Sequence, residues 1–171
     1  SKTANEDTRY IVEHYKEDLN ADTFTKIDTD RLTGITGEKA TFETKNYTGF
    51  TYDNSKIEPS DLTILGNGSL VIKLYYMRNS YTLKLVAGEN IASVSGEGTY
   101  KFEETVEIDA TLENDEGYTY AFENWTSGEA VHATTKVASV TMPAGDVTLT
   151  ANASKTANED TRYIVEHYKE D

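Results

Sequence analysis

Cysteine is absent from the 171 residues, and proline occurs only twice. The first absence removes disulfide frameworks and thiolate metal sites, and it argues against a small stapled secreted domain. Positive charge is also scarce: 16 basic residues stand against 30 acidic ones, a net charge of −14. The scarcity deepens along the chain, since residues 1–78 hold 10 basic and 13 acidic side chains and residues 79–153 only 3 and 12. Nucleic acids and anionic membrane surfaces need a cationic face, so neither is expected as a partner. No apolar run approaches the length that crosses a bilayer, so no membrane insertion is expected. No long segment keeps a 3.6-residue hydrophobic period, which leaves room for one short helix within 55–63 or around 37–45.

What is present, first of all, is a repeat. Residues 1–18 read SKTANEDTRYIVEHYKED, and residues 154–171 read the same, an offset of 153. Solenoid units recur every few tens of residues because they cannot fold alone. A period of 153 is the size of one or two ordinary domains, so it indicates independently folding beads rather than a stacked superhelix. The chain therefore reads as one full copy of a tandem repeat followed by the opening strand of the next.

Within the copy, period-two alternation dominates. Tyr10, Val12 and His14 share one face of a strand, and Ile11, Glu13 and Tyr15 the other. Leu70, Ile72, Leu74 and Tyr76 oppose Val71, Lys73 and Tyr75. Val106, Ile108, Ala110 and Leu112 alternate with Glu107, Asp109, Thr111 and Glu113, apolar inward and charged outward. Asn67-Gly68 carries the chemistry of a type I′ hairpin turn, Asp115-Glu116-Gly117 and Pro143-Ala144-Gly145-Asp146 that of other turns. The fold class expected is mainly β, with two small tandem domains, each a mixed or antiparallel sheet with little helix. The boundaries expected are a linker over 1–7, a first domain over 8–79 and a second over 80–153. A linker over 154–160 and the first strand of a following repeat over 161–171 complete the chain.

Two resemblances attach to these segments. Tyr10-Ile11-Val12-Glu13-His14-Tyr15, then Leu32-Thr33-Gly34 with Thr36-Gly37, then Tyr47-Thr48-Gly49-Phe50-Thr51, and finally Gly66-Asn67-Gly68-Ser69 with Leu74-Tyr75-Tyr76-Met77-Arg78-Asn79 resemble the MucBP (mucin-binding protein) repeat of Gram-positive surface proteins. That resemblance covers residues 8–79 and implies a β-grasp sheet. Tyr81-Thr82-Leu83, Gly96, Gly98, Gly117-Tyr118, Phe122, Trp125, Met142-Pro143-Ala144 and Val147 to Ala151 look like a divergent internalin-type B repeat, which implies a second β-grasp-like sheet. Asn124 stands where that repeat usually has glycine, which puts a local turn there in doubt. Together the resemblances imply an extracellular, cell wall-attached adhesin of a Gram-positive bacterium.

No residue pattern nominates a catalytic, cofactor or metal site, and the chain is expected not to be an enzyme. The histidines, His14, His132 and His167, lack zinc-ligand spacing. Gly66-x-Gly68 and Gly96-x-Gly98 lack the third glycine of a dinucleotide loop. Asp28 with Asp30, and Asn114-Asp115-Glu116, are oxygen-rich, but neither matches a calcium loop. Trp125 reads as a core anchor rather than a sugar-stacking platform. Tyr15 and Tyr75, on the less apolar strand faces, are the candidate ligand-contact aromatics.

The function expected is a stalk or spacer module of a surface adhesin, each repeat adding about 60 Å if each domain spans about 30 Å. The alternative is a low-affinity module that binds mucin glycans or a host surface protein through avidity. The expected partners are neighbouring repeats. Strand-mediated self-association through 161–171 is expected as well, by addition to a sheet edge or by swapping, because the spare copy exposes an unpaired strand.

Overall fold

Ten residues, Thr8–Glu17, form β1, and its alternation decides what it buries. Tyr10, Val12 and His14 point into the interior, while Ile11, Glu13 and Tyr15 are only half-buried. A turn with Asn20 at φ 59 leads to β2 (Phe24–Gly34), which pairs antiparallel with β1 and slips register between His14 and Tyr15. The computed structural model describes residues 2–171. After β3 (Phe50–Tyr52) the chain makes one turn of 3-10 helix, Asn54–Lys56, capped by the Asp53 carboxylate on the Ser55 N–H, and reaches β4 (Val71–Arg78). That turn is the only helical piece among the described residues; 37–45 is extended and irregular.

The sheet order is β2-β1-β4-β3, with β1 and β4 parallel so that Ile11 lies beside Val71 and Tyr15 beside Tyr75. The inner face packs Tyr10, Val12, Ile72, Leu74 and Tyr76 against Ala40, Ile64 and Leu70 from the long connections, with Phe42, Tyr47 and Leu62 partly buried around them. Each such aliphatic or aromatic side chain contributes about 1.5–3 kcal/mol when fully buried. The expected I′ hairpin at Asn67-Gly68 is a different turn. Asn67 is not at positive φ, Gly68 is (φ 74), and the Asn67 side chain accepts from the Ser69 N–H. Hydrogen bonding of asparagine to its own backbone two residues on replaces the left-handed pair that a I′ turn needs.

The remaining strands are β5 (Ser80–Ala87), β6 (Ile91–Ser95), β7 (Gly98–Lys101), β8 (Thr105–Leu112), β9 (Tyr118–Ser127), β10 (Ala130–Ala133), β11 (Ala138–Thr141) and β12 (Val147–Ala157). They make a five-stranded sheet, β10-β9-β12-β5-β7, and a three-stranded one, β11-β8-β6. β8 buries Val106, Ile108 and Ala110, the alternation read from the sequence. β12 runs parallel to β5 and antiparallel to β9. It continues through Ala157, with Lys155 opposite Tyr120 and Ala157 opposite Tyr118. Residues 154–157, read above as linker, are therefore paired strand, because β9 is long enough to hold them. The chain is mainly β, in small mixed and antiparallel sheets.

Contacts group the chain into two units. One comprises Ser1–Tyr81, Tyr100–Glu104 and Met142–Gly145, the other Thr82–Thr99, Thr105–Thr141 and Asp146–Asp171. The first unit thus takes in a short piece around Phe102. Its ring packs edge-on to Phe50 and lies over Gly49, where φ is +80 and a Cβ would collide with that ring. Among the described residues no helix is long and apolar enough to cross a membrane.

Candidate ligand-binding face

Tyr15 and Tyr75 meet on the outer face of the first sheet. Their parallel register makes them neighbours, and their rings stack with centroids 5.3 Å apart. Phe24, at the start of β2, sets its edge against Tyr75 at 4.8 Å. Each phenol donates to a carboxylate, Tyr15 to Glu13 (3.0 Å) and Tyr75 to Glu58 (3.3 Å). Burial first, then these carboxylates, hold both hydroxyls above their ordinary pKa and so neutral. Lys26 bonds Glu13 at 2.9 Å, and Lys73 lies 5.7 Å from the Tyr15 ring centre. Beside Tyr75 a shallow groove of about 410 Å³ is lined by Phe24, Ser55, Lys56, Ile57 and Glu58. Three rings fringed by two acids and two amines can stack on the apolar face of a sugar or a planar side chain and hydrogen-bond its edges. Sequence reading missed Phe24 and Glu58. Their only signal was the pairing register, which a lone strand pattern does not contain.

The inner face carries a polar chain instead. His14 is wholly buried, with Nε2 2.7 Å from Asp30 and Nδ1 2.9 Å from the Tyr76 hydroxyl. The Lys45 N–H donates to Tyr76 at 3.0 Å, and the Lys45 ammonium reaches Asp30 at 3.0 Å. These partners assign the protons in sequence: Lys45 N–H to Tyr76, Tyr76 O–H to Nδ1, and Nε2–H to Asp30. Bonds from His14 and then Lys45 hold Asp30 below the usual carboxylate range. Tyr47 donates to Asp28 at 2.6 Å, and its hydroxyl is pushed well up by burial and that carboxylate. Asp28 and Asp30, weighed above as oxygen ligands, thus bond Tyr47, His14 and Lys45. A histidine between an acid and a phenol can orient a proton, but both ring nitrogens are engaged and the ring has no access to solvent. Among the described residues, no cluster of three or more His, Cys, Asp or Glu side chains could hold a metal ion.

In the second unit Trp125 is fully buried, donates to the Lys136 carbonyl at 3.0 Å and packs on Phe122 at 5.9 Å. It is a core side chain, with no face for a sugar. Asn124 lies within β9, opposite Asn152, whose side-chain amide it accepts at 3.0 Å, so the position where glycine is usual holds a cross-strand bond and no turn.

Residues 81–157 match the family model of the divergent InlB B-repeat domain. The matched span begins in β5 and ends with the last residue of β12. It leaves out residues 8–79. That family suggests a bacterial surface repeat module, of a kind that is typically extracellular. No curated protein and no solved structure matches the chain.

Proposed function

We propose that this chain is a spacer repeat in the stalk of a bacterial cell-surface adhesin, attached to the wall of a Gram-positive cell and without catalytic function. The observation that carries the reading is the recurrence of SKTANEDTRYIVEHYKED after 153 residues, in a chain whose second part matches a surface-repeat family. Two units made of small sheets with internal apolar faces, and an exterior bearing a net charge of −14, suit a module that extends without self-adhesion. The resemblance of 8–79 to the MucBP repeat remains part of the proposal. A mixed sheet with two long parallel strands at its centre supports a β-grasp relation, and the connection from Gly34 to Val71 holds β3 and one 3-10 turn in place of an α-helix.

The second reading, a low-affinity module for mucin glycans or a host surface protein, is favoured by one observation: the stacked Tyr15, Tyr75 and Phe24 with their fringe of acids and amines. Glycan-array and immobilised-mucin binding by chains of one and two copies separates the two. The spacer reading expects no binding at either valency. Binding that appears with two copies and disappears on Tyr15→Ala with Tyr75→Ala overturns it in favour of the module.

A further inference from the structure

The first unit closes on chain that lies far from it in sequence. Residues 1–81 hold all four strands of its sheet, yet Tyr100–Glu104 and Met142–Gly145 cluster with it as well. Both segments fall inside the span 81–157 that matches the divergent InlB B-repeat model.

Three consecutive residues, Lys101, Phe102 and Glu103, each meet a different kind of receiver. The Lys101 ammonium donates to the Glu17 carboxylate at 2.8 Å. The Phe102 ring stands edge-on to Phe50 over Gly49, where a Cβ would come within 2.2 Å of the ring. The Arg78 guanidinium donates to the Glu103 carboxylate at 3.0 Å and to the Phe102 carbonyl at 2.9 Å. The Phe102 N–H donates to the Asn79 carbonyl at 2.9 Å. A carboxylate from β1, a notched aromatic shelf at β3 and a guanidinium from β4 thus receive a basic, an aromatic and an acidic side chain in order.

Two features set this apart from a chance contact. Glu103 has φ 69, a left-handed conformation that costs a non-glycine residue energy and persists where the surroundings hold it. Arg78 holds its side chain, and the Met142 carbonyl accepts its N–H at 2.8 Å. Met142 is itself 1% exposed, and its N–H returns to the Glu104 carbonyl at 2.9 Å. The second feature is Glu17, a buried carboxylate whose one ion-pair partner among the described residues is Lys101. Without Lys101 its side chain keeps the Arg78 N–H and no ion pair, a costly state for a buried charge.

We propose that the first unit carries a recognition site for a Lys-Phe-Glu segment, that residues 101–103 fill it, and that the sheet of the first unit is fully stable only while they do. The end of the first resemblance near residue 79 is then a boundary of sequence and not of folding. The shortest continuous chain that can hold the first unit runs past Met142. This holds for a spacer and for a binding module alike.

Amide hydrogen exchange on the full chain tests it. Phe102→Ala should speed exchange in β1 and β4 by about ten-fold or more, because a ring lost from a packed site lowers the free energy of local opening. The urea midpoint read from Trp125 fluorescence, which reports the second unit, should stay where it is. Gly49→Ala alone should loosen β1 and β4 too, through the collision with the ring and the φ of +80. Added to Phe102→Ala, it should do less, because the collision is gone and only the backbone cost remains. Phe102→Leu should give the same ordering if the alanine variant does not fold. Unchanged exchange on loss of the ring overturns the proposal. So do effects of the two substitutions that simply add, since the ring then does not lie over Gly49. A Trp125 midpoint that falls in step with β1 overturns it as well, because the effect then runs through the second unit.

Discussion

Residues 8–17 and 161–170 are the same ten amino acids in two conditions. In the first copy Val12 is 1% exposed between two strands; in the second, Val165 is 63% exposed and paired to nothing. Composition, alternation and propensity are identical, so none of them explains the difference. Strand form here resides in the slot: β2 and β4 supply the backbone partners, and Ile72, Leu74 and Tyr76 supply the apolar floor. β-Propensity behaves as a measure of fit to a half-buried pleated surface, and without the surface it has little to act on. A strand needs partners or a packing surface for independent stability, and residues 161–170 have neither here.

Paired substitutions should break this comparison if it is mistaken. Val12→Asp places an unpaired carboxylate in the core and should cost more than about 4 kcal/mol, enough to unfold the first unit. Val165→Asp should change stability by less than about 0.5 kcal/mol. Trp125, the single tryptophan, reports the second unit by fluorescence, while amide NMR signals of β1 and β4 report the first. Equal losses from the two substitutions would show that the tail is ordered in solution. Next in size, His14→Ala strips partners from Asp30 and Tyr76 and should cost about 2–4 kcal/mol in chemical denaturation. His167→Ala should cost almost nothing.

The comparison also locates what could be read in advance. The face that each residue of β1 and β4 presents follows from alternation, so the burial of Val12 and Leu74 and the outward Tyr15 and Tyr75 were legible. So was the core role of Trp125. Adjacency was not. Tyr15 touches Tyr75 only because the chain between Gly34 and Val71 brings β4 back parallel to β1, and nothing local in either strand encodes that register. The contact of His14 with Asp30 depends on the hairpin register, including its slip between His14 and Tyr15. β2 misleads by its own pattern, since Ile27 and Leu32 are its large aliphatic side chains and both are exposed. The role of Phe102 over Gly49 joins residues too far apart in sequence for any turn or periodicity rule to link.

The smallest effect sharpens the comparison by pH. Glu17 is buried at 7% exposure, and its copy Glu170 is exposed. Burial alone would raise the Glu17 pKa, but hydrogen bonds from Lys101 at 2.8 Å and the Arg78 N–H at 2.9 Å outweigh it, and the carboxyl lies below its ordinary value of 4.5. A depressed folded pKa means that Glu17 stabilises the first unit above its unfolded value and that this contribution is lost as pH falls through the folded one. Glu17→Gln should therefore cost about 1.5–3 kcal/mol at neutral pH, the range for a hydrogen bond to a charged group. In urea titrations followed by amide NMR, the gap between Glu17→Gln and the unaltered chain should close on acidification, while Glu170→Gln tracks the unaltered chain at every pH. A gap that stays constant into the acid range would mean that the geometry around Glu17, rather than its charge, carries the stabilisation.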